Sequence, residues 1–115
     1  MSRALTIGRE INKTLAKVFG ANVHPQYAGI DTPTPFAVYN RDTIEREYDD
    51  DGYSEVVQVG VSVVANTYAE AVDLAEQVDS LMHRDLRSRL VSAVEGYAID
   101  DKKYIQELNY KIMLK

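Results

Sequence analysis

Apolar residues between positions 3 and 19 recur at helical spacing. Leu5, Ile11, Leu15, Val18 and Phe19 share one side of a 3.6-residue turn, and Gly20 supplies a stop. Gly8 sits inside this helix at some cost in propensity. Residues 23–27, VHPQY, suit a short strand that Pro25 confines to a sheet edge. AGIDTPTP, residues 28–35, reads as a loop. From Phe36 the period becomes two. Phe36, Val38 and Ile44 share one parity, and Val57, Val59, Val61, Val63 and Ala65 share another, which predicts two long strands. Thr67 and Glu70 then form a capping box, TYAE, and a helix runs to about Arg84 with Ala71, Ala75, Val78 and Met82 on its apolar side. HRDLRSR, residues 83–89, reads as a connector. A strand around 90–99, a turn at DDKK (100–103) and a closing strand alternating at Leu108, Tyr110, Ile112 and Leu114 complete the chain. The order α, β, β, β, α, β, β predicts one α+β domain over residues 1–115. Its sheet is mainly antiparallel with four to five strands and a long β-hairpin, and two helices pack on one face.

Between the two long strands lies EYDDDGYSE, residues 47–55. Counted from Glu47, it places acids at positions 1, 3 and 5 and a glycine at 6, as an EF-hand loop does. Position 12, which that loop fills with a bidentate glutamate, is Gln58, and the flanks read as strands. The hairpin reading is the stronger one. Placing Asp51 and Gly52 at the centre of a two-residue turn sets Asp50 opposite Tyr53, Tyr48 opposite Glu55, Arg46 opposite Val57 and Ile44 opposite Val59. That register aligns Phe36, Val38 and Ile44 with the valines of the next strand, and carries Asn40 and Asp42 onto the same face.

The composition removes several functions. The 115 residues carry a formal net charge of −5, which disfavours a grip on nucleic acid phosphates. The absence of cysteine excludes disulfides, thiol nucleophiles and cysteine zinc sites, and fits a reducing compartment. No apolar run is long enough to span a membrane, and the N-terminal residues read as structure rather than as a signal peptide. His24 and His83 lack neighbouring metal-ligand partners, Ser54 and Ser62 lack nucleophile-elbow glycines, and Asp100 and Asp101 belong to a solvated turn. No catalytic, cofactor or metal constellation emerges, so an enzyme is not expected.

Two charged surfaces remain. The hairpin concentrates Glu45, Glu47, Asp49, Asp50, Asp51 and Glu55, and the segment after the second helix concentrates His83, Arg84, Arg87 and Arg89. Each can be solvated charge that keeps the chain soluble. Alternatively, the acidic arm of one copy meets the basic segment of the next in a head-to-tail contact of the kind that closes into rings. Eight tyrosines against two phenylalanines suit a surface rich in contacts.

The pieces together resemble a known family. Pro35, Phe36, Val38 and Tyr39 lead the first long strand, Val59, Val61 and Val63 alternate along the second, and Asn66-Thr67-Tyr68-Ala69-Glu70-Ala71 opens the helix. With YIQELNYKIML at the end, this resembles the tail-completion or tail-terminator proteins of long-tailed bacteriophages, the minor tail protein U-like group. The resemblance implies a virion tail protein of a phage or prophage, assembled in the host cytoplasm and without enzyme activity or cofactor. It implies a ring, typically a hexamer, that caps the tail-tube protein and offers a docking surface to the head connector or stopper. DNA would only pass through it, and no membrane is involved. Residues 84–103 match poorly and receive no role from it. The alternatives are a head–tail neck adaptor and a small cytoplasmic α+β ligand-binding module.

Overall fold

The computed structural model describes residues 3–26, 32–49 and 52–114. Its elements are α1 (Arg3–Phe19), β1 (Val23–Pro25), β2 (Phe36–Asp49), β3 (Gly52–Ala65), α2 (Tyr68–Leu86), β4 (Arg89–Ala98) and β5 (Lys103–Leu114). One five-stranded sheet has the order β1-β2-β3-β5-β4. Among the described strands only β1 runs parallel to its neighbour, β2. The fold is therefore the α+β arrangement expected, with the full five strands.

Both helices cover one face of the sheet. From α1, Ile7, Ile11, Leu15 and Phe19 are buried, a stripe at i, i+4 that adds Ile7 to the residues anticipated. Leu5 lies outside the side chains described. From α2, Ala75, Val78 and Met82 join them over Val57, Val59, Val61 and Val63 of β3 and Leu108, Tyr110 and Ile112 of β5. Each such Val, Leu, Ile, Phe or Met side chain contributes roughly 1.5–3 kcal/mol on full burial. On the other face β3 presents Val56, Gln58, Gly60, Ser62 and Val64, of which Val56, Gly60 and Val64 are buried and Gln58 and Ser62 half-buried.

Helix ends follow local chemistry. Thr67 is extended and its hydroxyl accepts from the Glu70 N–H at 3.2 Å, the first half of the capping box. At the other end Arg87 adopts φ 50°, its N–H donates to His83 O at 3.1 Å, and the Ser88 N–H donates to Met82 O at 3.3 Å. This left-handed closure lets α2 run to Leu86, so residues 83–86 are helical and the connector shrinks to Arg87 and Ser88. Gly20 closes α1 in the same way at φ 62°.

The hairpin exists, but its register differs from the one predicted. Asp49 pairs with Gly52, Tyr48 with Tyr53, Arg46 with Glu55 and Ile44 with Val57. Gly52 is thus a ladder residue at φ 132° rather than a central turn residue; Asp51, the other residue assigned to the turn centre, and Asp50, expected opposite Tyr53, lie outside the described residues. A bulge then intervenes. Arg41 pairs with Val59 and Thr43 with Gln58, which leaves Asp42 without a partner. One extra residue reverses the parity of everything before it. Ala37 and Tyr39 pair with Val63 and Val61 and are buried beneath the helices. Phe36, Val38 and Asn40 belong to the opposite face. The alternating pattern was real, but its core-facing set in the first half of β2 is the other one.

Candidate functional site

The molecule measures 51 × 26 × 24 Å along its principal axes. Strand β5 accompanies β3 only as far as the Glu55–Leu114 pair. Three further pairs, Glu47–Ser54, Tyr48–Tyr53 and Asp49–Gly52, carry the arm onward, about 10 Å at strand rise. Tyr48 is 73% exposed there. Of the expected acidic residues, Glu45, Glu47 and Asp49 lie along β2 opposite Val56, Ser54 and Gly52. Glu55 is withdrawn from that surface: it is buried, and its Oε1 lies 3.9 Å from Arg46 Nε.

The expected basic segment sits at the same end of the sheet on another strand. Thr43, Gln58, Lys111 and Arg89 form one row across β2, β3, β5 and β4, so Arg89 is about 14 Å from β2 at ordinary strand spacing. Arg87 and Arg89 are exposed. Arg84 is engaged within the chain. Its Nε lies 3.0 Å from Asp85 Oδ1, while Lys17 Nζ lies 2.6 Å from Asp85 Oδ2 and ties α1 to α2. Hydrogen bonds from Lys17 and then Arg84 hold the Asp85 carboxyl below the usual carboxylate range. His83 lies in the last turn of α2, and His24 packs edge-on to Phe36 at 6.2 Å.

The resemblance gave β4 no role beyond the basic charge expected of Arg89, yet its residues are exposed from Arg89 to Tyr97. Among the described residues its outer edge has no partner strand, and Leu90, Val91, Val94 and Tyr97 are all exposed, with Ile99 beyond them at 78%. The pairs Leu90–Tyr110 and Val94–Glu107 put these residues on both faces of the sheet. Near the start of α2, Tyr97 and Tyr104 lie 4.9 Å apart between ring centroids, and Tyr68 meets Tyr104 at 6.1 Å. The Tyr68 hydroxyl donates to Glu95 Oε1 at 2.8 Å, and that carboxylate raises the phenol's pKa. An open strand with apolar side chains on both faces is what a partner chain would cover.

A fourth feature escaped the sequence reading. Between α1 and the β1–β2 edge lies a groove of about 660 Å³, lined by Gly8, Arg9, Asn12, Lys13 and Ala16 of α1, Pro25 and Gln26 at the end of β1, and Tyr39, Asn40 and Arg41 of β2. Asn12 Nδ2 donates to the Tyr39 hydroxyl at 3.3 Å, and the Gln26 N–H to Tyr39 O at 2.7 Å. None of these lining residues is acidic. Arg9 and Lys13 stand at i, i+4 on the solvent side of α1, which the sequence could have shown. Arg41 reaches the helix side only because of the bulge; the predicted register had Asp42 on that side. The groove can bind carboxylate or phosphate through its cations, with aliphatic stems for an apolar group. Among the described residues no His, Cys, Asp and Glu cluster is placed to hold a metal.

Comparison with known proteins gives two results. A family model described as "Tail completion protein gp17" matches residues 11–113. A solved chain described as part of the "Virion of native gene transfer agent (GTA) particle" shares the fold, with a TM-score of 0.66 at 15% identity over 98% of each chain. No curated protein matches.

Proposed function

The chain belongs to the tail completion protein gp17 family, and from that premise we propose that it is the subunit of a ring that caps the tail tube. Membership makes it a structural protein of the phage virion tail. The proposed ring, a hexamer, stops tube polymerisation and offers the surface on which the head connector docks. It does so without catalysis, with residues 1–115 as one domain. The acidic arm, with Glu45, Glu47, Asp49, Asp50 and Asp51, and the basic exit of α2, with Arg84, Arg87 and Arg89, are its assembly surfaces. Since Asp85 already engages Arg84, Arg87 and Arg89 carry most of the basic contact. DNA passes through the lumen, and a net charge of −5 suits a channel that must not hold it.

The observation that supports this reading best is the open, apolar edge of β4. The sheet's other edge differs from it: β1 covers only Ala37, Val38 and Tyr39 of β2. Two unlike edges on one subunit favour head-to-tail contact, which closes into a ring when the rotation permits. The test is electron microscopy of the purified chain mixed with tail tubes. A six-fold ring at one tube end is expected for the native chain. Leu90→Glu together with Val94→Glu, both at exposed positions, should leave folding intact and tube ends bare. Bare ends with the native chain, or capped ends with the variant, would reject the proposal.

A further inference from the structure

We infer that β4 of one copy of this chain adds as an antiparallel strand to the stretch Asn40–Asp49 of β2 in the next copy, so that one sheet runs from copy to copy. The chain supplies both edges. β4 exposes Leu90, Val91, Val94 and Tyr97 and contains no proline or lysine, the residues that commonly guard an edge. On the sheet's other side β1 pairs only with Ala37, Val38 and Tyr39, and Gln26, at φ 64°, ends it. Beyond Tyr39 no further strand pairs with β2 on that side among the described residues. β4 has 10 residues, the length of Asn40–Asp49.

Topology selects this partner strand and its direction. β3 runs antiparallel to β2, β5 to β3 and β4 to β5, so β4 points opposite to β2. An antiparallel contact with the next β2 therefore gives that copy the same strand direction, the same left-to-right order and helices on the same face. A rotation about an axis along the strands demands all three. A parallel contact would invert each successive copy, and β4 against β4 would close a two-fold pair with β2 left open. The faces also match over the full overlap. Asn40 and Ala98 meet on the face away from the helices, and Arg41 and Tyr97 meet on the helix face. Each strand holds one bulge residue, Asp42 in β2 and Val91 in β4. The two offset each other, so the positions of Asp49 and Arg89 again share a face. The same register sets the exposed Arg41 beside the exposed ring of Tyr97, a cation–aromatic pair. The choice of direction rests on the ring reading.

The chain has no cysteine, which permits site-directed crosslinking between full-length copies. One preparation carries Asn40→Cys and another Ala98→Cys. They are mixed with a short bismaleimide, with and without tail tubes. Arg41→Cys with Tyr97→Cys is a second pair on the opposite face, and either pair suffices where a variant fails to fold. Two comparisons test the other arrangements. Asn40→Cys with Arg89→Cys reports parallel contact, since the proposed register separates those positions by about eight ladder steps, roughly 26 Å at strand rise. Val94→Cys alone reports β4 against β4. The 40–98 and 41–97 products should each form at least ten-fold faster than the 40–89 and 94–94 products. A 40–89 or 94–94 product that forms as fast as 40–98 and 41–97, or the absence of both expected products with and without tubes, would overturn the inference. If microscopy shows rings while both expected products are absent, the ring stands and the strand contact fails. If 40–98 and 41–97 dominate in open chains, the strand contact stands and the ring fails.

Discussion

Replacing Arg87 with glycine should make the chain more stable while weakening its assembly. Arg87 closes α2 at φ 50°, ψ 35°, with its N–H on His83 O. A residue with a Cβ pays roughly 1–2 kcal/mol in this region. Glycine removes that strain but gains freedom in the unfolded chain, which returns about 0.4–1 kcal/mol. The net gain is about 0.5–1 kcal/mol. Unfolding entropy of about 2.1 cal/mol/K per residue gives roughly 0.24 kcal/mol/K for a chain of this size, so Tm should rise by about 2–4 °C. The equivalent position of α1 is already glycine, Gly20 at φ 62°, which shows the fold using the preferred residue where no other demand applies. An arginine retained against this preference points to work done by its side chain, in the exposed basic exit. The assay is paired: thermal unfolding by circular dichroism, and capping of tail tubes scored by microscopy. An unchanged or lowered Tm would refute the strain argument. A raised Tm with undiminished capping would remove Arg87 from the assembly surface.

Three other perturbations test separate parts of the account. Tyr110→Phe deletes the hydroxyl that donates to Asp79 Oδ1 at 3.0 Å beneath α2, and urea unfolding should show a loss of about 1.5–3 kcal/mol; a loss under about 0.5 kcal/mol would mean that the bond adds little. Asp85→Asn should lower the melting temperature at neutral pH. The folded-state pKa of Asp85 is depressed, so its stabilisation is present above the ordinary aspartate value and is lost as pH falls through the lower folded one. The gap from the native chain should therefore close below about pH 4, and a gap that persists there would contradict the linkage. Deleting Asp42 removes the residue with no partner between the Arg41–Val59 and Thr43–Gln58 pairs. Stability should then stay within about 1 kcal/mol, since no ladder pair is lost; unfolding of the variant would contradict the bulge.

What the sequence revealed and what it hid have physical reasons. The start of α2 was legible because the Thr67 hydroxyl accepts from the Glu70 N–H within one turn, a local cap that the sequence spells out. The valines of β3 were legible because that strand is central and its alternation is not interrupted. The face of β2 was not legible. A bulge is one residue long and leaves the alternation on either side intact, so Phe36 and Val38 looked like core while Ala37 and Tyr39 took that place. The same slip concealed the groove, because Arg41 joins Arg9 and Lys13 only in the true register. The acidic arm was visible as composition, yet Glu55 belongs to an internal pair with Arg46 and not to the exposed set. Arg84 likewise read as free basic charge and is held by its neighbour Asp85, whose other oxygen accepts from Lys17, 68 residues away in sequence. The strand around 90–99 was legible and is β4, but its exposed apolar residues did not stand out as a surface because they face both sides of the sheet.

The most direct test of the central proposal is the tail length distribution in a phage lacking this protein, measured by electron microscopy of lysates. If the chain caps the tube, tails should overrun their normal length and remain unjoined to heads, and the native chain supplied in trans should restore both. Tails of normal length attached to filled heads would contradict the proposal.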